Sequence, residues 1–247
     1  MKTTIASGSK PPTAGGNIDD HMVDTLGSQI NISIFLGLLI LTVFVMPSIG
    51  FGDKHERWYG NIVFSILIGA GIAIAWRHRR LFLFSAIIGF LTLSVRWMAL
   101  LAPSLSWELS SEVAALIAVL MISWILLLQI FRRAGPTTVV SIQGAIAVYL
   151  LFGLAWANAY LMVMQLNPHS FQSTVGLSSS SSTEWYYYSY VTLTTLGYGE
   201  ITPLTRIARV LAAGEAVTGQ LYLAVLIARL IGMEIISSQQ KLAQDSD

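Results

Sequence analysis

The sequence predicts an all-α membrane protein of six transmembrane helices, with a short re-entrant segment between the fifth and the sixth. Three observations predict it. Of 247 residues, 54% are hydrophobic and only 11% charged, whereas a soluble chain carries about 25% charged residues. Apolar runs of bilayer length, about 20 residues as a helix, recur along the chain. Between the last two runs lies a segment too polar for a span and too aromatic for a plain loop.

The expected spans cover residues 30–49, 59–76, 81–101, 112–131 and 139–166, with a sixth from about 205 to 236. Residues 1–28 are rich in Gly, Ser, Thr and Pro, the composition of a flexible segment. Lys2 and Lys10 ahead of an apolar run suggest a signal peptide. No small-residue cleavage site follows, however, and "MPSIGFGD" reads as a helix end, so the first span is expected to be retained. Gly135-Pro136 in "RRAGPTT" interrupts the helical pattern. The chain thus divides into a four-helix unit at 29–134, a two-helix module at 137–236 and a polar tail at 237–247. No internal repeat is visible.

Lys and Arg loop bias sets orientation. With the amino terminus inside, the inner segments hold Lys2, Lys10, Arg77, Arg79, Arg80, Arg132, Arg133 and Lys241. The outer loops hold Lys54 and Arg57, and Glu108 is the charged residue of the 102–111 loop. Both termini are therefore expected in the cytoplasm, in a plasma or inner membrane, with lipid as the surrounding partner. A net charge of +1 provides no field for nucleic acid. The absence of cysteine excludes disulfides, thiolate metal sites and Cys nucleophiles. His21, His55, His78 and His169 lie far apart in polar segments and read as solvated residues. No paired carboxylates, nucleophile–base set or phosphate loop appears, so no enzyme and no cofactor are expected.

The segment between the fifth and sixth spans begins with a polar turret, "NPHSFQSTVGLSSSSS". "STEWYYYSYVTLT" then has the marks of a short helix. Ser182 or Thr183 can cap it, and Glu184 sits in the first turn, where the dipole favours an acid. Trp185, Tyr186, Tyr187, Tyr188 and Tyr190 suit a membrane-interface belt. Next comes "TLTTLGYGE", Thr192 to Glu200. Glycine weakens helices and strands alike, but it reaches left-handed backbone angles. Alternation of right- and left-handed residues turns successive carbonyl oxygens to one side, which suits a dehydrated cation. Irregular backbone at membrane depth is tolerated only inside protein or along a water-filled path.

These features together, with Thr194-Thr195, Gly197-Tyr198-Gly199, Glu200, Pro203 and the flanking spans, resemble the tetrameric potassium-channel family. Leu196 stands where the usual filter has Val. The resemblance covers roughly residues 139–236. It implies that the carbonyls of Thr195, Leu196, Gly197 and Tyr198 and the Thr195 hydroxyl replace the hydration shell of permeant K+. It further implies left-handed Gly197 and Gly199, a sideways-packed Tyr198, a pore mouth at Gly199-Glu200 and a homotetramer, since each chain carries one filter segment. Gly219 falls where many relatives have an inner-helix hinge, although packing explains a membrane glycine equally well. Leu223, Ile227 and Ile231 are candidates for the cavity wall and inner gate. Some relatives place a carboxylate four residues before the filter Thr, where this chain has Val191. Glu215 is the candidate to supply that support from the inner helix; the alternative is a salt bridge with Arg206 or Arg209.

The fourth span lacks Lys and Arg, so conventional voltage sensing is not expected. Arg96 and Arg229 are each expected to snorkel towards an interface. The function expected is a potassium-selective channel. The alternatives are a less selective monovalent cation channel, since Leu196 and Val191 can loosen the filter, or a non-conducting subunit that modifies a channel.

Overall fold

The computed structural model describes residues 30–45, 53–76, 79–132, 139–174 and 182–244. The expected flexible start at 1–28, the break at Gly135-Pro136 and residues 175–181 of the turret lie outside the described residues. Seven helices and two short strands follow one another: α1 (Ile30–Val45), α2 (Asp53–Ile74), α3 (Arg79–Leu101), α4 (Leu105–Arg132), α5 (Val139–Leu166), β1 (Phe171–Ser173), α6 (Ser182–Leu193), β2 (Ile201–Pro203) and α7 (Arg206–Gln244). The last five residues of α1, Leu41–Val45, are π-helical.

Among the described residues five helices, α2 to α5 and α7, are long and apolar enough to cross a membrane. Helix α1 is shorter, and the remainder of the expected first span, residues 46–49, lies outside the described residues. Arg57 and Glu108, read above as loop residues, belong to α2 and α4. They pair across the helices at 3.1 Å, and both helices begin ahead of their apolar runs. Helix α7 likewise continues into the expected tail, as far as Gln244.

The main core is built from Phe35 and Leu39 of α1, Leu67 and Ile68 of α2, Val119 and Leu126 of α4, and Leu151 of α5. Helix α5 is therefore shared, packing against α4 on one side and α6 on the other. Two helix ends are closed by side chains of neighbours. Gln129 of α4 donates to the Ile74 carbonyl at the end of α2 at 3.2 Å. Arg229 of α7 donates to the Ile130 carbonyl near the end of α4 at 2.5 Å. The last carbonyls of a helix lack intrahelical partners, and these side chains supply them.

This corrects the expectation for Arg229, which is half-buried and turned to a helix end instead of snorkelling. Arg96 is corrected in the same way. Its Nε donates to Asn61 Oδ1 at 3.2 Å, and its guanidinium lies 4.3 Å from the centre of the Phe64 ring. An inward amide and an aromatic face hold the cation where snorkelling would take it away.

Candidate functional site

Helix α6 is anchored by its aromatic side chains. Trp185 and Tyr188 are buried, packed edge to face with Phe171 of β1 and close to Tyr160 of α5. The interface-belt reading therefore fails for these residues: the rings fill a protein core instead of meeting lipid headgroups. The Tyr190 hydroxyl donates to the Leu150 carbonyl of α5 at 2.6 Å. Tyr187 is the exposed member, and its hydroxyl donates to Glu200. That hydrogen bond, then partial burial, pushes the Tyr187 phenol up to about 12. A raised phenol keeps its proton, so the contact is present below the ordinary value of 10 and is lost as pH rises through about 12.

The chain leaves α6 through a tight series of backbone bonds. Thr195 N–H donates to the Thr192 carbonyl at 2.9 Å. Leu196 and Gly197 N–H both donate to the Val191 carbonyl, at 2.9 and 3.3 Å. Val191 thus contacts the segment through its backbone, a contact its apolar side chain gave no sign of. Thr195, Gly197 and Gly199 have φ of +59°, +60° and +87°. Left-handed angles were expected at the two glycines; the same angle at Thr195 is new. A residue with a Cβ in this region stores about 1–3 kcal/mol. Thr195 is held there by its own amide bond and by Gln220 of α7, whose Nε2 lies 3.4 Å from Thr195 Oγ1.

Beyond Glu200 the chain pairs with the turret. β1 and β2 run antiparallel, with Phe171 opposite Pro203 and Ser173 opposite Ile201. Thr174 N–H also donates to the Glu200 carbonyl at 2.9 Å. This two-stranded clip was not expected, because three-residue strands leave no periodicity to read. A cavity of about 190 Å³ lies between α6 and the irregular segment, lined by Tyr187, Val191, Thr192, Gly197, Gly199 and Glu200 among others.

Helix α7 backs the arrangement. A Cβ on Gly219 would strike the Leu193 carbonyl oxygen at the end of α6, and α7 runs unbroken through this position. The geometry is that of a close-approach glycine. Glu215 is fully buried; the Tyr160 hydroxyl donates to its Oε2, and Ser189 Oγ lies within hydrogen-bond distance of its Oε1. It makes no ion pair with Arg206 or Arg209; Arg209 Nε donates to the Pro203 carbonyl at 3.2 Å. Tyr160 and Ser189 were not expected as the partners of Glu215, because they lie 55 and 26 residues away in the sequence. Leu223 is half-buried, whereas Ile227 and Ile231 are 55% and 56% exposed. Leu196 and Tyr198 are also exposed, by 55% and 68%. Among the described residues, no group of three or more His, Asp or Glu side chains is arranged to hold a metal ion.

Among the described residues, five helices long and apolar enough to cross a membrane, with a short helix ending in irregular backbone between the last two, fit an integral membrane protein. Residues 137–234 match the model of a family described as ion channel, and the match supports an ion channel rather than an enzyme. It spans α5 to α7 and leaves α1 to α4 outside. No curated protein and no solved structure matches the chain.

Proposed function

We propose that the protein is a potassium-selective channel that conducts K+ passively through a homotetrameric pore. The observation that carries this reading is the alternation of left-handed backbone at Thr195, Gly197 and Gly199 directly after α6. Carbonyls set in this way form oxygen cages in series, and ions pass by knock-on between adjacent sites. In this reading Thr195, Leu196, Gly197 and Tyr198 supply the oxygens, Glu200 lines the mouth, and Glu215 braces α6. The exposed Leu196 and Tyr198 and the open cavity beside them support completion of the site by further copies. So does α7, where Val217, Leu221, Val225, Ile227 and Ile231 stand uncovered in a single chain. Both termini lie in the cytoplasm, and lipid surrounds the outer helices.

Bi-ionic reversal potentials of the purified protein in planar bilayers test the proposal. Potassium should permeate far better than sodium. Equal permeabilities would favour a general cation pore, and silence of the purified chain would favour a subunit that modifies a partner channel.

A further inference from the structure

Three elements meet at Ser189. Its Oγ lies 2.7 Å from the Gly153 carbonyl of α5 and 2.5 Å from Glu215 Oε1 of α7. Tyr160 of α5 donates to the other carboxyl oxygen, Oε2. All three side chains are fully buried. A serine hydroxyl carries one proton, and a peptide carbonyl only accepts. Were Glu215 a carboxylate, the single Ser189 proton would face two acceptors. One of the two contacts would then oppose lone pairs at hydrogen-bond distance between fully buried side chains.

Both contacts are hydrogen bonds in one arrangement: Glu215 carries a proton on Oε1 and donates it to Ser189, which donates to Gly153. Tyr160 then donates to Oε2, and every proton has an acceptor. No cation offsets a carboxylate here. The titratable groups that face Glu215 are Tyr149 and Tyr160 from α5 and Tyr188 and Tyr190 from α6. Among the described residues no basic side chain pairs with it.

We infer that Ser189 is a positioning residue for the filter, locked by the carboxylic-acid form of Glu215 into a relay that joins α7, α6 and α5 and opens when the proton leaves. The relay acts on the filter through α6, whose Val191 and Thr192 carbonyls hold the amides of residues 195–197. In this respect the inference rests on the pore reading above. Its chemistry does not, because the proton count follows from three contacts alone.

The test compares wild type with Glu215→Gln, Ser189→Ala and Ser189→Thr in potassium bilayers, from about pH 6 to about pH 9, below the range where tyrosines ionise. Gln mimics the acid, since its amide nitrogen donates to Ser189 and its oxygen accepts from Tyr160. Current loss during sustained opening should accelerate with rising pH in wild type, and should be slow and flat in Glu215→Gln. Ser189→Ala should accelerate the loss about tenfold at every pH, the effect of one buried hydrogen bond, and Ser189→Thr should restore it. Infrared difference spectra read the proton without any current. A protonated-carboxyl band should be present in wild type at neutral pH and missing from Glu215→Gln. No such band, or a Glu215→Gln channel as short-lived as Ser189→Ala, would overturn the inference. A silent wild type that retains the band would overturn the channel reading instead.

Discussion

Backbone angle and available space act separately at the glycines of this chain. A Cβ on Gly197 would meet nothing within 4 Å, but its φ is +60°. Resistance to substitution there comes from the left-handed angle, about 1–2 kcal/mol for a residue with a Cβ. Gly197→Ala should therefore leave the fold intact and disturb the carbonyl row. In bi-ionic recordings the expected outcome is a loss of potassium over sodium preference, with normal protein yield. Gly219 presents the opposite case. Its angle is helical, but a Cβ would collide with the Leu193 carbonyl. Gly219→Ala should cost about 1–3 kcal/mol as overpacking, read as a lower melting temperature in detergent. Gly69→Ala, in open space on α2, is the control. It should be neutral or slightly stabilising, because Ala is the better helix former. Equal effects of the two alanines would contradict the close-approach assignment.

At the scale of elements, the helix ends carry the connections. Gln129 closes α2 and Arg229 closes α4, so a chain of caps runs from α2 through α4 to the C-terminal half of α7. Arg229→Met keeps much of the apolar stem but leaves the Ile130 carbonyl without its guanidinium. The expected loss is about 1–3 kcal/mol, the cost of one buried unsatisfied acceptor. Hydrogen exchange should show the added opening at the last turn of α4, with α6 unaffected. Uniform loosening of the whole chain would argue against a local cap. At the other side of the molecule, α6 has side-chain or backbone bonds to α5, α7 and the segment it leads into. A helix of 12 residues is too short to be stable alone in water. Its position is imposed by these neighbours.

For the whole molecule, the uncovered face of α7 and the exposed Leu196 and Tyr198 bear on assembly. Native mass spectrometry should find a tetramer with one shared pore, and a conducting monomer or dimer would contradict the proposal. Voltage dependence should be weak. Moving one charge through 100 mV is worth about 2.3 kcal/mol, so steep gating needs several mobile charges per subunit. Helix α4 has no basic residue before its final turn, and Arg96 is fastened to Asn61 and Phe64. Single-channel recordings in symmetric potassium should give open probabilities that vary little with voltage. A large effective gating charge, insensitive to the permeant ion, would require another sensor.

Composition and hydropathy determined that this chain lives in a membrane and roughly where its long helices run, because the bilayer imposes a length and a polarity that any sequence must meet. The glycine pair determined two left-handed positions, because those angles are open to glycine at little cost. Other features were decided by tertiary structure. Thr195 takes the same angle against its own preference, since the α6 carbonyls and Gln220 hold it there. Trp185 and Tyr188 of α6 read as part of a belt, because an amphipathic ring suits an interface and a protein core equally well; their packing on Phe171 settles which. Arg96, Arg229 and Glu215 each have a local reading in the sequence, snorkelling or a nearby salt bridge. Their partners come from elements 35, 99 and 55 residues away. A buried polar group is committed by whichever partner the fold brings within 3 Å or so, and that distance exists only once the helices have packed.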